Sequence, residues 1–204
     1  MAITNGLCSL ADVKSAMRIT DNLDDSSLEL AVETASRQIE AYCDRRFYAD
    51  TAATARVYAA TSPWLLEIDD IYTTTGLVIA TGTVVGSYVT TWQTTDYQLE
   101  PLNGLLNAQS WPYTRVRAIA SLTFPMNYGQ SLVQVTAKWG WSAVPTAVRL
   151  AAIRQAQHIF ASRDLPLGAT AFGETGILRI GREAIHPEAR QLLQDYVKDT
   201  ARVL

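Results

Sequence analysis

The chain has little of what catalytic, metal-binding or exported proteins are usually built from. Its 204 residues include only two cysteines and two histidines. Cys8 and Cys43 do not form a closely spaced pair, so neither a disulfide framework nor a zinc knuckle is expected, and two free thiols suit a reducing compartment. His158 and His186 have no cysteine or carboxylate at ligand spacing and read as ordinary structural or surface histidines. A basic excess is missing as well. The 17 Lys and Arg against 20 Asp and Glu give a net charge of -3 and a pI near 5.4, which does not fit a protein that grips duplex phosphates. No segment approaches the roughly 20 apolar residues that span a bilayer. The opening MAITNGLCSLADVK lacks the basic and apolar regions of an export signal. A soluble, unexported protein is expected, with no metal, no cofactor and no membrane partner.

Catalytic constellations are equally scarce. The acidic run Asp21, Asn22, Asp24, Asp25 resembles a calcium loop only superficially, because Ser26 and Val32 stand where an EF-hand needs glycine and glutamate. It reads better as a helix-capping loop. The glycine-rich FGETGILRIG ending at Gly181 has no Gly-Lys-Ser/Thr step and is no phosphate cradle. Glu67, Asp69 and Asp70 are consecutive acids of a strand-turn segment, which usually face solvent. Arg37, Arg45 and Arg46 have Glu33, Glu40 and Asp44 within about a helical turn and so read as a salt-bridged helix face. The chain is therefore expected not to be an enzyme.

What is present is a globular composition, 48% hydrophobic and 18% charged, on a chain long enough to bury a core in one domain or two. Ser9 and Asp12 form a capping box, after which Leu10, Val13 and Met17 recur at helical spacing. A longer helix is expected from about Ser26 to Asp44, with Leu28, Ala31, Val32, Ala35, Ile39 and Tyr42 as its apolar stripe. From about residue 53 the period changes to two, giving strands at 56–58, 83–85, 87–89 and, most clearly, 133–139, where Val133, Val135, Ala137 and Trp139 alternate with polar residues. Pro145 opens a third, alanine-rich helix from Thr146 to Arg163. Residues 164–183, punctuated by glycine, read as a flexible or partner-ordered loop. Pro187 then opens a last helix whose Leu192, Leu193, Tyr196 and Val197 form a stripe, and a helix this short needs a surface to lie on.

The order of elements predicts an α+β protein: N- and C-terminal helices forming a helical domain, residues 1–52 and 140–204, with an antiparallel β block inserted at 53–139. Charge is uneven along it. Residues 1–100 carry 6 basic and 14 acidic side chains, against 11 and 6 in residues 101–204, which would let unlike faces of two copies, or of a copy and a partner, attract.

Three stretches resemble the head-completion adaptors of the head-tail connector in long-tailed phages and gene transfer agents. The first is SLADVKSAMRITDNLDDSSLELAVETASRQIEAYCDRRF, a short helix, an acidic turn and a long helix ending in Tyr-Cys and arginines. The second is Asp96-Tyr97-Gln98-Leu99-Glu100-Pro101 with Trp111-Pro112. The third is VTAKWGWSAVPTAVRLAAIRQAQHIFASRD, a strand, an aromatic-Gly-aromatic turn and an alanine-rich helix. The resemblance implies a structural subunit of the virion neck, assembled in the host cytoplasm as a ring of twelve copies. Its partners would be the portal protein and a stopper or tail-completion protein, with duplex DNA passing through without sequence-specific binding. Members place C-terminal segments against the portal, which makes Leu192, Leu193, Tyr196, Val197, Val203 and Leu204 the expected docking residues. The competing reading is a monomeric, virion-associated β-rich module that binds carbohydrate, with Trp64, Trp92 and Trp111 on an exposed groove.

Overall fold

The computed structural model describes residues 3–127, 129–163, 171–173, 176–178 and 185–198. The chain is α+β and divides into two compact units, residues 1–45 with 144–204, and residues 46–143. The change of period at residue 53 and the end of the last strand at 139 fall inside these boundaries.

In the first unit, α1 (Leu10–Met17) begins at the expected capping box, in which Ser9 Oγ accepts from Asp12 N and Asp12 Oδ2 accepts from Ser9 N. Arg18 closes it in the left-handed conformation, φ 58°. The second helix, α2 (Asp25–Cys43), buries Leu28, Ala31, Val32, Ala35, Ile39 and Cys43, the three- and four-residue spacing of one helical face. The third, α3 (Thr146–Ser162), buries Val148, Ala151, Ala152, Ala156 and Phe160; three alanines in that set let a neighbouring helix approach closely. The last, α4 (Pro187–Leu193), starts with proline in its first turn, where the missing N–H costs nothing.

The second unit is an antiparallel sheet. Its strands are β1 (Thr54–Tyr58), β2 (Leu65–Thr81), β3 (Thr90–Thr91), β4 (Tyr97–Glu100), β7 (Tyr113–Ala118) and β8 (Val133–Trp139), in the order β1-β8-β2-β7-β4 with β3 beside β2. A small separate hairpin joins β5 (Leu105–Leu106) to β6 (Gln109–Ser110). The 17-residue β2 pairs with β7 along its first part (Leu66↔Val116) and with β8 along its last (Ile79↔Val135), with register shifts between Glu67 and Ile71 and between Thr73 and Val78. Leu66, Ile68, Ile71, Ile79, Trp92, Val116, Phe124, Val133, Val135 and Trp139 make its core. In β8 the expected alternation holds, with Val133, Val135, Ala137 and Trp139 buried.

Two strand expectations change. Residues 83–85 and 87–89 form no strands; a single bridge, Val84↔Ser87, closes a turn through Gly86 at φ 85°. Valine and tyrosine favour strands, but among the described residues no strand pairs with them. In the 164–183 loop, Ala171–Gly173 (β9) and Gly176–Leu178 (β10) pair antiparallel.

The aromatic-Gly-aromatic step is built around Gly140, at φ 97°. A β-carbon there would overlap the Tyr48 carbonyl oxygen, so only glycine fits. Gly140 N donates to Asp70 O at 2.7 Å, Trp141 Nε1 donates to the buried Asp70 Oδ2 at 2.7 Å, and Trp139 Nε1 donates to Thr54 O at 2.9 Å. The turn thereby fixes where the chain leaves β8.

Candidate docking site

The residues expected to dock on a partner lie in and after α4, and the unit fixes that helix from both ends. At its start, His186 N donates to Gln155 Oε1 at 2.8 Å, and Gln155 Nε2 donates to Gln38 Oε1 at 2.7 Å. Gln155 is 2% exposed, so one buried amide ties the entry of α4 to both α3 and α2. A buried polar side chain is stable only when its groups are paired in this way. Along its length, Ile185, Ala189 and Leu193 are buried, a spacing of four that faces one side. At its far end Arg45 Nε donates to Tyr196 O at 2.8 Å and Lys198 N donates to Cys43 O at 2.8 Å. The last described residues thus satisfy a carbonyl at the end of α2, which helix termini leave open.

Of the expected docking residues, Leu193 is 0% exposed and belongs to the core of its own unit. Leu192, Tyr196 and Val197 are half-buried. Burial and then Asp195 raise the Tyr196 hydroxyl above its ordinary pKa. Val203 and Leu204 lie outside the described residues. The inward stripe is Ile185, Ala189 and Leu193; Leu192, Tyr196 and Val197 stand at its margin, and the exposed side carries Glu188, Arg190, Gln191, Gln194 and Asp195. Sequence reasoning missed Ile185 and Ala189 because Ile185 precedes Pro187, outside the helical pattern. It missed Gln155 because its partner Gln38 is distant in sequence.

The two histidines meet here, His158 from α3 and His186 at the start of α4, with ring centroids 5.1 Å apart. Burial, and then His186, push the His158 pKa down. Among the described residues, no three His, Cys, Asp or Glu side chains converge as metal ligands, and no helix is long and apolar enough to cross a membrane.

Most of the acidic residues singled out from the sequence have partners in cations, while Asp21 accepts from Leu23 N and Asp70 from an indole N–H. Asp24 meets Arg163 at 2.8 Å and Asp25 meets Lys14 at 2.6 Å. Asp69 accepts from Arg56 at 2.6 Å and from the Tyr58 hydroxyl at 3.0 Å. Asp70 holds Trp141, and Glu67 lies 3.7 Å from Arg115. Arg37 pairs with Glu33 and Glu40, as a salt-bridged helix face requires. The tryptophans do not share an exposed groove. Trp92 is 4% exposed and stacks on Phe124 at 4.6 Å in the core, and Trp111 is half-buried edge-on against Trp141 at 4.8 Å, which leaves Trp64 the exposed one of the three.

The fold is similar to three solved structures. A chain in the neck of a native gene transfer agent particle computed with C12 symmetry matches at a TM-score of 0.56 and 15% identity, covering 100% of this chain and 94% of that one. A chain in the neck of the empty particle, computed with C6 symmetry, matches at 0.54 and 15%, covering 100% and 95%. A chain in the virion of the native particle matches at 0.52 and 19%, covering 100% and 95%. No curated protein matches the chain. Residues 8–92 match the model of the family described as phage gp6-like head-tail connector protein, so the resemblance read from the opening helix pair stands, with this stretch as the part of the chain that carries it.

Proposed function

We propose that the chain is a structural adaptor of the neck of a phage or phage-like particle, a non-catalytic subunit that forms a ring of twelve copies, as in the C12 neck it is similar to, and joins the portal to the next component toward the tail. The observation that carries this reading is the coincidence of two independent likenesses. The family match covers residues 8–92, and the neck structures share the fold across 100% of the chain. In this reading the ring extends the DNA channel. Its acidic balance, with a net charge of -3, suits a wall that must let duplex DNA slide, because many phosphate contacts would retain it. Localisation would be the virion, after assembly in the host cytoplasm.

Portal docking is assigned to the half-buried Leu192, Tyr196 and Val197 of the C-terminal segment, together with Val203 and Leu204, which lie outside the described residues. Leu193, buried in its own unit, serves as the anchor of this segment. Negative-stain microscopy of the protein mixed with its particle's portal tests both levels. Portal rings capped by an added ring of density are expected; bare portals would sink the adaptor reading. The double variant Leu192→Asp and Tyr196→Asp alters partly exposed side chains and should leave the fold intact while abolishing decoration. Full decoration by that variant would remove the docking assignment and leave the adaptor standing.

A further inference from the structure

An asparagine followed by glycine can modify itself. The glycine nitrogen attacks the asparagine Cγ, a cyclic imide closes and ammonia leaves; glycine suits the step because no β-carbon crowds the approach of its nitrogen. The chain holds the same tripeptide twice, Asn5-Gly6-Leu7 and Asn103-Gly104-Leu105. The intrinsic chemistry of the two places is therefore alike, and only the fold can separate them.

Both asparagines are exposed and left-handed, at φ 52° and 59°. Gly104 is engaged on both sides: its N–H donates to Pro101 O at 3.0 Å and its carbonyl accepts from Trp111 N at 2.8 Å. A nitrogen held in that turn is not free to attack. Nearby Asn107, at φ 50°, is followed by Ala108, at φ 62°, whose methyl group crowds the same approach. Gly6 differs. Among the described residues no acceptor takes its N–H, although the N–H groups on either side are bound to α2, Thr4 N to Glu33 Oε2 at 3.1 Å and Leu7 N to the buried Ser36 Oγ at 3.0 Å. The segment is clamped at both ends and leaves the one reactive nitrogen unspent.

The clamp also sets this peptide against a cation. Arg37 Nη2 donates to Asn5 O at 2.9 Å, and that carbonyl belongs to the same peptide unit as the Gly6 N–H. When Gly6 N loses its proton, the negative charge spreads onto this oxygen. A guanidinium hydrogen-bonded there stabilises the anion more than the neutral peptide. Glu33 and Glu40 lie 3.7 and 3.2 Å from the same guanidinium and hold it in place.

We infer that Asn5-Gly6 is a self-modification site, at which Arg37 promotes conversion of the asparagine to aspartate and isoaspartate. The Gly6 proton passes to solvent, the bond from Gly6 N to Asn5 Cγ forms as the bond from Cγ to Nδ2 breaks, and Nδ2 leaves as ammonia after taking a proton from solvent. One water then opens the imide at either carbonyl. No oxidant or cofactor takes part. The product carries a carboxylate where the amide stood, and the isoaspartyl form lengthens the backbone by one atom between the two clamped N–H groups. The test incubates the full chain at mildly alkaline pH, folded and in denaturant, and follows the loss of Asn5 and Asn103 by mass spectrometry of tryptic and chymotryptic peptides. In the folded chain Asn5 should be lost about tenfold faster than Asn103 or more, and Arg37→Gln should slow it about tenfold, the factor that one charged hydrogen bond made mainly in the transition state confers. Arg37→Lys, which keeps a cation for the carbonyl, should restore most of the rate. In denaturant the two asparagines should react alike, with or without Arg37. Equal loss at the two positions in the folded chain would overturn the site. An unchanged Asn5 rate in Arg37→Gln, or a slowed one that Arg37→Lys does not restore, would overturn the activation by Arg37.

Discussion

Replacing Gly140 by alanine tests the turn that ends β8, and a second glycine separates its two costs. Gly140 has φ 97°, and an added β-carbon would overlap the Tyr48 carbonyl oxygen. Gly86 has nearly the same strain, φ 85°, with nothing within 4 Å of the added carbon. Gly86→Ala should therefore cost only the backbone penalty of about 1 kcal/mol for a left-handed alanine. Gly140→Ala adds overpacking, about 1–3 kcal/mol, and strains the 2.7 Å bond from Gly140 N to Asp70 O, worth about 1 kcal/mol. The expected total is about 3–5 kcal/mol. For a chain of this size roughly 2–4 °C of melting temperature accompany each kcal/mol, so thermal scans should fall by about 6–20 °C for Gly140→Ala and about 2–4 °C for Gly86→Ala. Equal losses would mean that the carbonyl of Tyr48 does not crowd this position, and the argument for a glycine-only turn would be wrong.

Gln155→Leu removes two hydrogen bonds at the entry of α4 and leaves His186 N–H without its acceptor; a loss of about 1–2 kcal/mol is expected, with faster amide exchange concentrated in residues 187–196, and a uniform rise across the chain would refute the latch. Ala108→Gly should stabilise the protein by about 0.5–1 kcal/mol, because Asn-Gly suits a turn with two positive φ values, and a lower melting temperature would count against the hairpin geometry. Asp12 is held at about 2, from an ordinary 3.8, first by its hydrogen bond to Arg149. Its folded pKa lies below the unfolded one, so its contribution is complete above the ordinary value and is lost as pH falls toward 2. Asp12→Asn should flatten the acid limb of stability between about pH 5 and pH 2, and an unchanged limb would show that the pair with Arg149 contributes nothing.

What was legible in the sequence is what local rules specify. The Ser9–Asp12 box, the stripe of α2, Pro145 before α3 and the alternation of β8 each depend on residues a few positions apart, and each reappears in the structure. Long β2 was not legible, because its register shifts at Glu67/Ile71 and Thr73/Val78 break the period of two. Val84, Val85 and Val89 have strand propensity, but a strand also needs a partner edge, which sequence spacing does not reveal, and here a single bridge forms. Trp92 does not line a surface groove but stacks on Phe124 in the core, a contact between residues 32 apart that local spacing does not specify. The candidate docking site was half legible: the stripe's existence could be read from the spacing, but its inward phase depends on Ile185 and on the Gln155–Gln38 amide pair.

That inward phase changes how the C-terminal segment would work. An isolated helix as short as α4, Pro187–Leu193, is unstable in water, so a version that ordered only on contact with a partner would lose ordering entropy at the moment of binding. Here the ordering is already supplied within the unit. Leu193 and Ala189 are buried, Gln155 holds the entry, and Arg45 and the Cys43 carbonyl hold the exit. Leu192, Tyr196 and Val197 are consequently presented in a fixed arrangement before any partner arrives, and a pre-organised surface retains more of its contact energy as affinity. In the docking proposed above, the helical unit would therefore meet its partner without a folding step.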